Sequence, residues 1–323
     1  MYSLGFDIGG TKCAVILGRG SLPQTDEGVS SFILERRAFE TRQKERGPYE
    51  IIDELFATAD EMLSGKNIEH GSLCGIGISC GGPLDSKRGV IMCPPNLPDW
   101  DNVPLVKMCE EHFGVKTNLQ NDANACAVAE QRFGSGRGFE NIVFLTFGTG
   151  MGAGLILNGR LYSGANDNAG EVGHIRLEKD GPTGYGKAGS FEGFCSGGGI
   201  ARLGEIMLKK AVAEGRETCL TENTLSAKDI AAAAKRGDAL AKEIYYTCAK
   251  KLGLGLSIII DIINPDCIII GSIYSRSKEL FDSIINDVIA SEALPFSAAA
   301  CKILPSGLGD SIGDFAALGL AFE

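Results

Sequence analysis

Apolar and polar positions along the chain fall into two successive strand-rich stretches, each broken by a glycine turn. Tyr2 to Phe6 is a short apolar run that predicts a buried strand, and it ends in the turn Asp7-Ile8-Gly9-Gly10-Thr11. A second run, Ala14 to Leu17, follows at hairpin distance, and Ser31 to Leu34 continues the strand signal. Between Tyr49 and Leu63 the apolar residues Ile51, Ile52, Leu55, Phe56 and Met62 recur at helical spacing. Leu73 to Ser79 predicts another buried strand, closed by Gly81-Gly82-Pro83. Pro104 opens a helix to Phe113, since proline suits a first helical turn.

The pattern then restarts. Val115 to Leu119 predicts a strand and Asp122 to Phe133 a helix, while Asn141 to Thr146 and Gly152 to Leu157 are strands flanking Gly148-Thr149-Gly150. Gly159 to Gly199 is glycine-rich with little periodicity, and so long a loop points to function. Helices dominate from Ile200 to about Ile263, and Cys267 to Ile270 is a further buried strand ending at Gly271-Ser272. Helices follow at Lys278 to Ala290 and Ile312 to Phe322. Two strand-rich halves with similar turns predict two related α/β lobes with a cleft between them.

Length and charge narrow the picture. A chain of 323 residues is too long for one ordinary core and suits two domains. The net charge is −10, and the densest basic stretch, Arg36 to Arg46, is interrupted by Glu40 and Glu45. Binding a phosphate backbone needs clustered positive charge, so no nucleic-acid partner is expected. The 11 Cys are scattered with no C-x-x-C pair, which predicts buried, reduced thiols and a cytoplasmic location. The start MYSLGFDIGGTK lacks a charged region followed by an apolar run, so no signal peptide is expected. The longest apolar stretch, Leu252 to Ile263, is too short for a bilayer, so no membrane partner is expected.

Four short motifs carry candidate chemistry. In Asp7-Ile8-Gly9-Gly10-Thr11-Lys12 the paired glycines let the backbone approach a phosphate and present N–H donors. Asp7 would hold Mg²⁺ through water, because Mg²⁺ dehydrates reluctantly. A plain hairpin turn explains the same residues. In Gly148-Thr149-Gly150-Met151-Gly152-Ala153-Gly154 the glycines weaken two strands, a cost that close approach to a ligand would explain, although bulges use glycine too. No helical pattern follows, so this is not a dinucleotide fingerprint. In Asn121-Asp122-Ala123-Asn124, Asp122 stands where strand meets helix and is either an N-cap, a general base, or both. Glu171-Val172-Gly173-His174, with Glu192 further on, places one of only three His beside carboxylates on a loop. That suits hydrogen bonding to a polyol or a metal, or simply a solvated polar loop. The single Trp, in Asn96-Leu97-Pro98-Asp99-Trp100, is expected to pack.

Taken in order, these motifs resemble the ROK (repressor, ORF, kinase) family of bacterial sugar kinases. The series runs from Gly5 to Lys12, through Ser79-Cys80-Gly81-Gly82-Pro83-Leu84-Asp85 and Pro95 to Trp100, then Asn121 to Asn124 and Gly148-Thr149-Gly150. It continues through Gly164-Ala165-Asn166, Gly170 to His174, Asn264-Pro265-Asp266 and Ile268 to Gly271. The resemblance implies an α/β, two-lobed actin/hexokinase-like (ribonuclease H-like) fold with ATP and sugar in an interdomain cleft. The expected lobes are residues 1–117 plus 309–323 and residues 118–308. It implies Asp122 as the catalytic base, with Asn121, Glu171, His174 and Glu192 bonding sugar hydroxyls and Gly82 and Asn96 lining the same pocket. Asp7, Gly9, Gly10, Thr11, Lys12, Thr149 and Gly150 match the phosphate loops, and Gly271 falls where the nucleotide base and ribose would lie.

Two departures qualify the match. The family commonly binds structural zinc through the His and three Cys, whereas Thr183, Tyr185 and Ser190 stand at the three thiolate positions here. A tetrahedral site cannot be built from them, so no zinc is expected, and packing by Tyr185 and Phe191 is expected to hold the loop. The family's repressors carry an N-terminal helix-turn-helix; this sequence opens at the phosphate-loop motif, so none is expected here. The expected reaction is ATP- and Mg²⁺-dependent phosphorylation of a hexose at the 6-hydroxyl, glucose first and an N-acetylhexosamine second, by a homodimer. The competing expectations are a non-catalytic sugar-sensing regulator and an actin-like or chaperone-like ATPase.

Overall fold

Glycine and isoleucine alternate along Leu73–Cys80, and that alternation builds the first half of the molecule. The computed structural model describes all 323 residues. They form two compact units: Met1–Gly138 with Arg160–Ala169 and Asp310–Glu323, and Phe139–Gly159 with Gly170–Gly309.

The first unit holds a sheet of β1 (Tyr2–Ile8), β2 (Lys12–Arg19), β3 (Ile33–Glu40), β4 (Leu73–Cys80) and β5 (Thr117–Asn121) in the order β3-β2-β1-β4-β5. The β1–β2 and β2–β3 pairs are antiparallel; β1–β4 and β4–β5 are parallel. On one face Leu4, Phe6, Ile8, Ile76 and Ile78 form a core with α1 (Pro48–Ser64) and α2 (Leu105–Phe113), through Ile51, Ile52, Leu55, Cys109 and Phe113. On the other face lie Gly5, Gly75 and Gly77, and the C-terminal helix Ile312–Leu320 rests directly on them. A Cβ at Gly77 would stand 2.0 Å from the Ala317 carbonyl oxygen, so only glycine admits the helix there.

Some sequence expectations shift. Strand β1 runs through Asp7 to Ile8, so Asp7 is a strand residue and not part of the turn. The strand expected at Ser31 to Leu34 runs at Ile33–Glu40, and that expected at Val115 to Leu119 lies at Thr117–Asn121. The lobe boundary expected after residue 117 also moves. β5 is hydrogen-bonded to β4, and α3 (Asp122–Phe133) packs on the C-terminal helix, where Val128 and Phe133 meet Gly319. The first unit therefore extends to Gly138 and includes Asp122.

The second unit holds β6 (Ile142–Leu145), β7 (Ala153–Leu157), β8 (Cys267–Ile270) and β9 (Lys302–Pro305) in the order β7-β6-β8-β9. β6–β7 is antiparallel, and β6–β8 and β8–β9 are parallel. β6 and β8 are apolar and buried at every position, as strands covered on both faces are. β9 had no sequence signal: Lys302-Ile303-Leu304-Pro305 is too short to show a period. The longer helices are α4 (Gly197–Ala213), α5 (Ala227–Lys235), α6 (Ala239–Ile263) and α7 (Asp282–Glu292). Gly253 of α6 lets Val288 of α7 approach, and Gly255 receives Phe191. No helix is long and apolar enough to cross a membrane.

Candidate active site

The register of three neighbouring parallel strands assembles the first group of candidate residues. Ile8 of β1 pairs with Cys80 of β4, and Cys80 with Asn121 of β5. The Asp7, Gly81-Gly82 and Asn121-Asp122 segments therefore stand side by side at the carboxyl ends of their strands, where α/β sheets bind ligands. The turn between β1 and β2 is closed by Gly9 N–H donating to the Lys12 carbonyl at 3.1 Å. Thr41 Oγ1 donates to the Gly9 carbonyl at 2.6 Å, and Thr41 N–H to the Thr11 carbonyl at 3.0 Å. A Cβ at Gly10 would lie 2.2 Å from the Asn96 carbonyl oxygen, and one at Gly81 would lie 3.2 Å from Asn96 Oδ1. Asn96 is thus wedged between the two glycine turns with an exposed side chain, and Thr11, Lys12 and Gly82 are exposed around it. Trp100 is fully buried, as expected of a packing residue.

Asn121, not Asp122, caps α3: its Oδ1 accepts from Asn124 N–H at 2.8 Å. Asp122 is the first helical residue, and its Oδ1 accepts from Ala123 N–H at 2.8 Å. That corrects the N-cap reading and leaves the Asp122 carboxylate at the helix's positive end. Asp122 is exposed by surface area, yet enough protein surrounds it that burial raises its carboxyl above the usual range, with the amides of Ala123 and Asp122 pulling back. Asp7 is pushed up to about 6, first by burial and then by Asp314, with Arg36 opposing and Asp122 adding to the rise. Arg36 Nε donates to both Asp314 oxygens, at 2.7 and 2.9 Å. A carboxylate held among like charges suits a hard cation; no group of three or more His, Cys, Asp or Glu forms a cage, so Asp7 with water and phosphate oxygens would have to supply the ligands.

Sequence reasoning missed Arg36 and Asp314, which reach Asp7 from distant parts of the chain and carry no local signal. It also missed Asp167. In its left-handed conformation (φ 61°), Asp167 accepts from Ser86 N–H at 2.8 Å and Ser86 Oγ at 2.7 Å, while its carbonyl accepts from Asn121 Nδ2 at 3.4 Å. The run Asn166-Asp167-Asn168 was the available signal, because Asn and Asp tolerate that conformation.

The second group lies within the second unit. The glycine turn after β6 is closed by Gly152 N–H donating to Thr146 Oγ1 at 3.0 Å and Gly148 N–H to the Gly150 carbonyl at 3.0 Å. Glu192 Oε2 accepts from Met151 N–H at 3.1 Å, and a Cβ at Gly150 would lie 2.9 Å from that oxygen. Gly173 packs against the Met151 carbonyl, which brings Glu171 and His174 to the same turn with both side chains exposed. Thr149 is exposed at the tip. Gly271 is buried at the end of β8, its N–H donating to the Leu145 carbonyl at 3.0 Å.

The loop after His174 is held differently from expectation. Phe191 is 0% exposed and seats against Gly255, but Tyr185 is 81% exposed at a hairpin tip and anchors nothing. Ser190 instead caps the short helix Phe191–Phe194 by accepting from Gly193 N–H at 3.1 Å.

Residues 3–323 match the family described as the ROK family. The chain belongs to the ROK family. It is 30% identical over 322 residues to a glucokinase of Thermotoga maritima, covering 99% of this chain and 97% of that one. It is 28% identical over 280 residues to the DNA-binding transcriptional repressor Mlc of Escherichia coli, covering 86% of this chain and 68% of the repressor. Among solved structures, a ROK family glucokinase from Streptomyces griseus in complex with glucose and AMPPNP superposes with a TM-score of 0.69 at 27% identity, covering 100% of this chain and 99% of that one. The fold class is accordingly the α/β, two-lobed actin/hexokinase-like one that the ROK motifs implied.

Proposed function

We propose that this ROK protein transfers the γ-phosphoryl group of ATP to the 6-hydroxyl of a hexose, glucose foremost, with Asp122 as general base. The observation that carries the reading is Asp122 itself: a solvent-reachable carboxylate with a raised pKa at a strand–helix junction, in register with the Asp7 and Gly81-Gly82 segments. A carboxylate raised above its usual range is a stronger base than an ordinary one. The hydroxyl proton passes to Asp122 as the oxygen attacks the γ-phosphorus, the bond to the β-phosphate oxygen breaks, and ADP leaves. The protein's work is positioning and charge stabilisation. Backbone N–H groups of Gly9 to Thr11 and Thr149 to Gly150, with Lys12, would meet the phosphates, and Gly271 the ribose and base. Asn96, Asn121, Glu171, His174 and Glu192, with Gly82, would receive the sugar. Asp7 would hold Mg²⁺ through water, and that ion supplies charge neutralisation on the phosphate oxygens. A cytoplasmic location, and the homodimer that the family resemblance implies, belong to the same reading.

ADP release over a panel of glucose, mannose, fructose, N-acetylglucosamine and N-acetylmannosamine tests it. Glucose should be turned over fastest, and Asp122→Asn should be silent while still binding sugar. Fastest turnover of an N-acetylhexosamine would reassign the substrate, and ADP release without sugar would point to an ATPase. A second reading, a sugar-sensing regulator, is favoured by the similarity to Mlc; sugar binding without ADP release would establish it.

A further inference from the structure

The segment after His174 doubles back through one tight hairpin. Thr183 pairs with Ala188 and Gly184 with Lys187, and the two turn residues, Tyr185 and Gly186, have φ of 41° and 76°. Positive φ at both positions marks the two-residue turn whose twist fits a hairpin. That register fixes where Lys187 leaves the turn.

From there Lys187 Nζ donates to the His174 carbonyl at 2.7 Å. The carbonyl of the next residue, Ala188, accepts from Arg176 Nη1 at 2.7 Å. The Gly189 carbonyl then accepts from the N–H groups of Leu177 and Glu178, at 2.9 and 3.0 Å, and Phe191 N–H donates to the Ile175 carbonyl at 2.8 Å. Two cations and three amides thus stitch the hairpin to residues 174–178, and the stitching ends one residue before Glu192. A lysine suits the first stitch, since its ammonium sits on a long stem with three rotatable donors.

We propose that Lys187 is a positioning residue for hexose binding: by holding the His174 carbonyl it sets where the His174 ring stands relative to Glu192. The proposal rests on the assignment of His174 and Glu192 to the hexose made above. Lys187 touches the backbone of a binding residue and not the sugar, so its loss weakens hexose binding without touching the phosphoryl donor.

The test compares the full chain with Lys187→Met, which keeps the apolar stem, and Lys187→Arg, which keeps a donor. Glucose affinity is read by calorimetry without ATP, so it does not depend on turnover. Lys187→Met should raise the glucose Kd by roughly five- to tenfold, with the Kd of a non-hydrolysable ATP analogue within about twofold, and Lys187→Arg should recover most of the loss. Hydrogen exchange at the Leu177 and Glu178 amides should quicken in Lys187→Met by about tenfold or more. An unchanged glucose Kd, an equal loss for the nucleotide, or no recovery with Arg would overturn the proposal. Failure of the kinase reading looks different: the unaltered chain binds glucose but releases no ADP, and the Lys187 comparison is still decided by Kd.

Discussion

The two sheets repeat one arrangement and spend their strand ends differently. Each has an antiparallel hairpin with two parallel strands on its far side, β2-β1-β4-β5 in the first unit and β7-β6-β8-β9 in the second. Asp7-Ile8-Gly9-Gly10-Thr11 and Thr146-Phe147-Gly148-Thr149-Gly150 occupy matching places. In the second unit the hydroxyl of Thr146 accepts from Gly152 N–H and closes its own turn. After β9, Ser306 Oγ likewise accepts from Gly309 N–H at 3.2 Å. In the first unit the matching residues are Asp7 and Asp122, both with raised pKa values. One set of strand ends closes its own turns, while the other keeps carboxylates whose ionised form burial disfavours. A retained cost of that kind is what the proposed active site would carry.

The two sets of strand ends should differ most at Asp122. Asp122→Asn should lower kcat by about 10²–10⁴-fold, the range of a lost general base, with the sugar Kd within about threefold. If kcat survives, the two strand ends are equivalent and the asymmetry means nothing. The pH dependence sharpens the same point. A base must be ionised, so kcat/KM should fall as pH drops through the raised Asp122 pKa, with unit slope on a logarithmic plot. A profile flat down to the ordinary carboxylate range would show that burial does not tune this group.

How much of this was legible in the sequence follows from the range of each signal. Helix α3 and strand β8 appear where the pattern predicted them, at Asp122–Phe133 and Cys267–Ile270, because each is specified by neighbours along the chain. The glycine turns were visible because glycine is costly and therefore informative. The cap was misplaced by one residue, since Asn121 and Asp122 are both good caps and only geometry separates them. Arg36 and Asp314, which set the charge around Asp7, lie 278 residues apart and meet only in the folded unit. Tyr185 was assigned to packing on residue type alone, and the hairpin register sends it outward instead.

A smaller effect concerns stability. Asp7 shifts from an ordinary value of 3.8 to about 6, so folding favours its protonated form. The stability this group lends is complete below the unfolded value and is lost as pH rises through about 6. Asp7→Asn, with no magnesium present, should therefore be more stable than the unaltered chain at pH 7.5, by on the order of 2 kcal/mol. The gap should close as pH falls from 6 toward 4, and denaturant titrations at the two ends of that range measure it. Equal stability at pH 7.5 would mean that Asp7 carries no retained cost.

The smallest expected effect lies on the other side of the comparison. Thr146→Val keeps the shape of the side chain and removes the oxygen that receives Gly152 N–H. The loss should cost about 1 kcal/mol of stability, the usual worth of such a bond, at every pH, since no titrating group is involved. Turnover should stay within about threefold, because the hydroxyl serves its own turn. A large fall in kcat with stability unchanged would put Thr146 on the substrate and make the two strand ends chemically alike after all. A pH-independent loss of stability with turnover retained would leave Asp7 and Thr146 as one position put to two uses.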